Sequence, residues 1–142
     1  MQFVGKDSLW YNDSDFKQIV YVDSIKCNAC MLNKVGYWLA FYKEAHKANS
    51  NFRLCFIFQE NNHSKKMIDK IKYYYEFSPI FYIDSVGVFI KNNPIIIENT
   101  LFHSFLIKNG RIQLFGDPTV NNKIADLTLK LISDKKENDE QK

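Results

Sequence analysis

Apolar and polar positions follow two periods in the first half of the chain, and their order predicts alternating strands and helices. The segments "KQIVYVD" (residues 17–23) and "FRLCFIFQ" (residues 52–59) are apolar at successive positions, which favours strands buried on both faces of a parallel sheet. After each segment the apolar residues recur at steps of three and four, which is typical of an amphipathic helix. The first half therefore predicts the β-α-β-α order of an α/β fold.

Each of the two helices is predicted to bury one stripe of side chains. The first helix follows Cys27 and ends before "NSN" at residues 49–51, and the second extends from about Ser64, a plausible N-cap, to Glu76. The positions expected to face the core are Met31, Val35, Trp38, Tyr42 and Ala45 in the first helix, and Met67, Ile71, Tyr74 and Tyr75 in the second.

The second half predicts a short strand, an irregular connection and a hairpin. "IFYID" at 80–84 is the strand, and residues 85–100 are interpreted as the connection. The segments 101–107 and 111–115 flank the turn "KNG". Gly110 is expected to supply the positive φ that this tight turn needs.

A final helix and a polar tail are predicted to close the chain. The helix is expected to begin near Thr119 and to turn Val120, Ile124, Leu127 and Leu131 inward. Residues 134–142 ("DKKENDEQK") contain no apolar residue, so we interpret them as a disordered charged tail. The 142 residues, 46% of them hydrophobic, suffice for one core, and residues 1–133 are interpreted as a single domain.

Charge and hydropathy exclude several classes of partner. The formal net charge is +3, and the densest group of lysines, Lys65, Lys66, Lys70 and Lys72, falls on a predicted helix. We interpret that group as a solvated helix face rather than a nucleic-acid footprint. No apolar run approaches the roughly 20 residues that a bilayer requires, so we expect neither a nucleic-acid partner nor a membrane span in this chain.

The chemistry of the sequence is concentrated in Cys27-Asn28-Ala29-Cys30. The motif lies where a predicted strand leads into a long helix, and the first turn of a helix has unpaired N–H groups and a partial positive charge. Both features stabilise a thiolate and lower the pKa of Cys27, and Lys26 adds positive charge beside it. Cys30 follows one helical turn later, so it is placed to resolve a mixed disulfide formed by Cys27.

Two other readings of the cysteine pair stay open at the level of residues. Small buried hydrophobes fall at this spacing by chance, and two cysteines are also half of a zinc site, which needs four ligands. The other candidate ligands are Cys55, His46, His63 and His103, and they form no second paired motif. Cys55 lies in the middle of a predicted strand and is interpreted as a core residue. We expect no metal and no cofactor.

Three blocks of the sequence resemble a known family. They are "YVDSIKCNAC", "FHSFLIKNGRIQLFGDP" and "NNKIADLTLKLI", and in this order they resemble the thioredoxin-like, redoxin-type thiol–disulfide proteins exported by Gram-negative bacteria, many of them lipoproteins. The resemblance covers roughly residues 17–132. It implies a thioredoxin-like fold with a central mixed sheet flanked by helices, in which Cys27 is the nucleophile and Cys30 the resolving thiol.

The sequence departs from this family near the cysteines. Lys26 occupies the place where thioredoxins have an aromatic residue. The family's proline at the start of the hairpin is absent from "LFHS", so Phe102 or His103 takes its place. If His103 faces the cysteines, it can accept the proton of Cys30. Otherwise it is a strand histidine that faces solvent or is hydrogen-bonded in the core.

The resulting functional hypothesis is a thiol–disulfide oxidoreductase whose partners are client proteins and an electron-exchange partner. The resemblance implies a periplasmic or cell-envelope location, with the export signal or lipid anchor absent from this chain, and the alternative is the cytoplasm. The competing hypothesis is a thioredoxin-like binding or structural module that has lost its chemistry. A peroxidase is less consistent with the sequence, because Arg53 and Arg111, the only two arginines, lie far from the cysteines in sequence.

Overall fold

The elements of the chain are seen in a computed structural model that describes residues 15–22, 28–60, 64–75, 80–84, 87–94 and 103–140. For residues 28–30, 90 and 134–140 the description covers the backbone alone. The strands are β1 (Lys17–Val22), β2 (Arg53–Gln59), β3 (Ile80–Asp84), β4 (Ser104–Lys108) and β5 (Arg111–Phe115). The helices are α1 (Asn28–Ala48), α2 (Ser64–Tyr74), α3 (Val88–Asn92) and α4 (Asn122–Glu140).

The strands form one mixed sheet in the order β3-β2-β1-β4-β5. Strands β1, β2 and β3 are parallel, whereas β4 is antiparallel to both β1 and β5. Strand β1 is central, and its Ile19 lies level with Cys55 on one side and Phe105 on the other. The predicted α/β class with a mixed sheet is therefore confirmed, and the central position of β1 explains why its sequence is apolar on both faces.

Helices α1, α2 and α4 cover the same face of the sheet. The chain moves one strand outward at each crossover, from β1 to β2 and from β2 to β3, and crossovers of the usual right hand then place both helices on one side. One buried cluster accordingly contains Val35 of α1, Met67 of α2 and Ile132 of α4. A second cluster on the opposite face contains Ile19, Cys55 and Phe105, with Phe89 of α3 packed against them.

The predicted stripe of α1 is confirmed at Met31, Val35, Trp38 and Ala45, which are buried. Tyr42 is half-buried, and Phe41 is buried instead.

Helix α2 differs from the prediction in its last turn. Tyr74 is 66% exposed, and Ile68 takes its place in the core. Tyr75 is half-buried, and its hydroxyl donates a hydrogen bond of 2.6 Å to the carbonyl oxygen of Leu32 in α1. Gly36 leaves room for this contact, because a Cβ there would lie 3.2 Å from the Tyr75 hydroxyl oxygen. The line of buried side chains on α2 is therefore continued by Tyr75, which contacts α1, and not by Tyr74.

The stripe predicted for α4 is confirmed in part. Ile124 and Leu131 are half-buried, and Leu131 packs against the core. The fully buried residues are Thr128 and Ile132, whereas Val120 is 79% and Leu127 is 47% exposed. The helix begins later than predicted because the side-chain oxygen of Asn121 accepts a hydrogen bond from the amide of Ile124, at 3.1 Å, which leaves Val120 outside the helix.

The far end of α4 also differs from the prediction. The helix does not stop before residue 134 but continues to Glu140, over residues that the sequence assigned to a disordered tail. Lysine and glutamate, which are frequent in residues 134–140, are good helix formers.

The hairpin of β4 and β5 is confirmed, with its turn at Asn109 and Gly110. Both turn residues have positive φ, 55° and 72°, which suits a two-residue hairpin. The connection before it is not wholly irregular, because α3 lies within residues 85–100. The side chain of Asp84 initiates α3 by accepting a hydrogen bond from the amide of Phe89 at 3.2 Å.

Candidate functional site

Helix α1 begins at the carboxyl end of the central strand. Strand β1 ends at Val22 and α1 begins at Asn28, so Cys27 directly precedes the first helical residue in sequence and Cys30 is the third residue of the helix. Cys27 and Lys26 lie outside the described residues, and Cys30 is described by its backbone alone. The strand and the helix expected on either side of Cys27 are present, and Cys30 lies in the first turn of α1.

Three helices begin at this same end of the sheet. Helix α1 follows the carboxyl end of β1, α2 follows that of β2, and α4 follows that of β5, which is parallel to β1. None of the three helices has an acidic residue in its first turn. Each of the three N-termini therefore has a partial positive charge at this end of the sheet, and that of α1 favours an anion such as a thiolate.

The boundary between β1 and β4 is where the connections change sides. Helix α1 leaves β1 over one face, whereas α3, which precedes β4, packs on the other face. Crevices outside the carboxyl ends of strands at such a change of side are the usual ligand sites of open α/β sheets. The cysteine motif enters α1 at this boundary.

Side chains also join the two strands of this boundary. The amide nitrogen of Gln18 donates a buried hydrogen bond of 2.8 Å to the hydroxyl oxygen of Ser104. The second polar atom of the Gln18 side chain, Oε1, is buried and has no hydrogen-bond partner within the described residues. Gln18 alternates with Ile19 along β1 and so faces the α1 side of the sheet.

His103 lies at the same end of the sheet, and its ring packs on Tyr21. The ring centroids are 5.4 Å apart in an edge-to-face arrangement. Atom Nε2 of His103 is buried, with no hydrogen-bond partner in the part of the chain that the structure describes. Tyr21 belongs to the cluster on the face opposite α1, so the His103 ring lies across the sheet from the cysteine helix. Phe102 lies outside the described residues.

Tyr21 and Asp84, to which the sequence pattern assigned no functional role, also lie at this end of the sheet. Tyr21 stacks on Phe89 of α3 with ring centroids 5.3 Å apart. The second carboxylate oxygen of Asp84, Oδ2, is buried without a hydrogen-bond partner among the described residues. Contacts therefore connect Asp84, through Phe89 and Tyr21, to His103. The sequence offered one sign that Asp84 belongs to this end of the sheet, namely its position as an acidic residue at the carboxyl end of a predicted strand.

Cys55 lies away from the cysteine helix. It is 1% exposed and belongs to the cluster on the face of the sheet opposite α1. Its thiol donates to the carbonyl oxygen of Phe56 at 3.8 Å. The interpretation of Cys55 as a core residue is confirmed.

A small cleft of about 110 Å³ lies at the other end of the sheet. It is lined by residues from the end of α1 and the amino ends of β2 and β3, among them His46 and Arg53. Arg53 Nε lies 3.5 Å from a carboxylate oxygen of Asp15. The cleft is thus separated from the carboxyl end of β1 by the length of the strands.

Neither a metal site nor a membrane span is found in the described residues. They contain no group of three or more His, Cys, Asp or Glu residues arranged to hold a metal ion. No helix among them is both long enough and apolar enough to cross a bilayer. Comparison of the chain with protein-family models, with curated proteins and with solved structures gives no match.

Proposed function

We propose that this protein is a thiol–disulfide oxidoreductase with a thioredoxin-like fold, in which Cys27 is the nucleophile and Cys30 the resolving thiol. The observation that supports this most is the start of α1 at Asn28, one residue after Cys27, at the carboxyl end of the central strand. The order of strands and the positive N-terminus of α1 at that position are compatible with the same function.

The first step of the proposed reaction forms a mixed disulfide. The thiolate of Cys27 attacks one sulfur of a client disulfide, a new S–S bond joins Cys27 to the client, and the client disulfide breaks. The other client sulfur leaves as a thiolate and takes a proton from water. The helix N-terminus lowers the free energy of the attacking thiolate, so a larger fraction of Cys27 is reactive at neutral pH.

The second step releases the client. Cys30 loses its proton to solvent and attacks the sulfur of Cys27, so a Cys27–Cys30 bond forms as the bond to the client breaks. The client has gained two electrons and the cysteine pair has lost them. A second thiol or disulfide protein returns the pair to its starting state, and the reverse sequence oxidises a client. The reaction uses no cofactor.

The neighbours of the pair have lesser roles in this proposal. Lys26 adds positive charge beside Cys27, and Phe102 or His103 takes the place of the family's proline at the start of the hairpin. His103 packs against Tyr21, so we assign it the positioning of the β1–β4 boundary rather than proton transfer. From the family resemblance we place the protein in the periplasm or cell envelope.

Equilibration with glutathione tests the proposal. We expect the peptide that contains Cys27 and Cys30 to lose and regain two hydrogens as the ratio of reduced to oxidised glutathione changes, measured by mass spectrometry after acid quenching. Failure to form this disulfide even in oxidised glutathione would contradict the redox function and would favour a binding module with the same fold.

A further inference from the structure

Positive charge is concentrated on the outer surface of the helices. Because α1, α2 and α4 share one face of the sheet, their exposed side chains form a single surface, which we call the basic helix face. Its exposed lysines are Lys34, Lys43, Lys47, Lys65, Lys66, Lys70, Lys72, Lys123 and Lys130. Its exposed carboxylates, up to Ser133, are Glu44, Asp69 and Asp126.

Up to Ser133 the face has nine exposed lysines against three exposed carboxylates, and the remainder of α4 adds two lysines and four acidic residues. One lysine of the face, Lys47, lies 3.8 Å from Glu44, and another, Lys72, lies over the ring of Phe81. The acidic residues of α4 beyond Ser133 lie near its C-terminus, at the end remote from the start of α1. The densest group of exposed lysines is on α2, where Lys65, Lys66, Lys70 and Lys72 accompany one exposed carboxylate, Asp69.

The same face exposes three tyrosines. Tyr37 is 64%, Tyr73 is 83% and Tyr74 is 66% exposed. Tyr73 and Tyr74 follow Lys70 by three and four residues, so the two rings lie one helical turn beyond this lysine on α2. Tyrosine rings of this kind are favoured at the boundary between lipid headgroups and water, where the ring body and the hydroxyl group each find a suitable environment.

The composition of the face favours a lipid surface over a nucleic acid. Both arginines of the chain, Arg53 and Arg111, are on strands, so the face has point charges without the planar fork that reads bases. The rings of Tyr73 and Tyr74 are perpendicular, at 89°, and cannot both stack on successive bases of one strand. Lysines spread over three adjacent helices match the extended negative charge of a membrane surface.

We propose that the basic helix face binds the surface of an anionic lipid bilayer, with the lysines against the headgroups and the exposed tyrosines at their level. The binding is peripheral and does not depend on the proposed redox function. The three helices then lie parallel to the membrane. The carboxyl end of β1, where the cysteine motif enters α1, faces sideways and stays accessible to proteins beside the membrane.

Vesicle co-sedimentation tests this inference. We expect the protein to bind phosphatidylcholine vesicles that contain phosphatidylglycerol, and not vesicles of phosphatidylcholine alone. Added salt should release it, because surface charges are screened. The double variant Lys66→Gln/Lys70→Gln should lower the partition coefficient by about tenfold or more, and Tyr73→Ser/Tyr74→Ser should lower it as well.

A charge-matched control distinguishes the face from net charge. Lys91→Gln/Arg111→Gln removes the same charge from exposed residues of α3 and β5, and it should leave binding within about twofold of the unmodified protein. Circular dichroism checks that each variant is folded. Three results would each overturn the proposal. They are no binding to anionic vesicles at low salt, equal losses in the Lys66/Lys70 and Lys91/Arg111 variants, and tighter binding to a single-stranded oligonucleotide than to vesicles at the same salt.

Discussion

The backbone amide of Tyr21 donates a hydrogen bond of 2.7 Å to the carbonyl oxygen of His103. This bond extends the antiparallel pairing of β1 and β4 by one residue beyond Val20 and Ser104. It holds His103, the residue before β4, against the end of the central strand, and the His103 ring packs edge-to-face on Tyr21. The entry to the hairpin and the exit toward the cysteine motif are therefore fixed to each other.

Substitution of His103 should affect stability more than chemistry. In His103→Gln the lost ring contact with Tyr21 is expected to cost about 1 kcal/mol of unfolding free energy, measured by urea denaturation. The rate at which Cys30 resolves a mixed disulfide should stay within about twofold, since a general base usually contributes about a hundredfold or more. A much slower resolving step in a variant that is still folded would identify His103 as the proton acceptor.

The two cysteines of the motif should differ in reactivity. Cys27 precedes α1 and is expected to alkylate faster than Cys30 at mildly acidic pH, where ordinary thiols are almost wholly protonated. Cys30→Ser should accumulate mixed disulfides with client proteins, seen as high-mass bands that disappear with reductant.

Cys27→Ser is the matched control for this experiment, and it should trap nothing. Equal trapping by both variants would reverse or remove the assigned roles. Trapping by neither, together with an ordinary pKa for Cys27, would favour the binding module.

Cys55 should take no part in the redox cycle. It is 1% exposed and lies on the face of the sheet opposite α1, so it should resist alkylation until the protein unfolds. Cys55→Ala should leave the reduction potential of the Cys27–Cys30 pair unchanged, measured against glutathione. Mass spectrometry that finds a 27–55 or 30–55 bridge in native protein would contradict this arrangement.

The buried stripe of α4 can be tested with one pair of substitutions. Ile132→Ala removes a fully buried side chain and should cost about 2–5 kcal/mol of unfolding free energy. Leu127→Ala changes a residue that is 47% exposed, so it should cost less than about 1 kcal/mol. Thermal or urea denaturation gives both values. The opposite ranking would restore the stripe that the sequence predicted.

Removal of residues 134–142 should change little. Residues 134–140 continue α4, but the segment contains no apolar residue to bury, so the loss should be less than about 0.5 kcal/mol. Redox behaviour should also be unchanged. A larger loss of stability in the truncated protein would mean that the end of α4 packs against the domain.

The sequence predicted the positions of the helices and strands better than it predicted which face of each helix is buried. The stripe of α1 was readable because a 21-residue helix repeats its pattern several times. Helix α4 has two overlapping apolar stripes, one through Leu127 and one through Ile132, and only the position of the sheet decides between them. Tyr74 and Ile68 are likewise both apolar neighbours of Ile71, and the contact of Tyr75 with α1 selects Ile68 for the core.

Long-range relations could not be predicted from one sequence. Nothing near Cys55 indicates which face of the sheet it occupies, since β2 is apolar on both. The contact of Phe89 with Tyr21 depends on a five-residue helix that has no clear period. The concentration of lysines on one surface depends on the placement of α1, α2 and α4 on the same side, which follows from the strand order.

The pairing of β1 with β4 has a consequence for synthesis of the chain. Gln18 and Ser104, joined across this pair, are 86 residues apart in sequence. On the ribosome β1 emerges long before its second neighbour, so the half-built sheet presents the central strand of the fold as an open edge. Late arrival of the β4–β5 hairpin closes that edge. Until then the nascent chain is most vulnerable to aggregation at the strand that later leads into the cysteine motif.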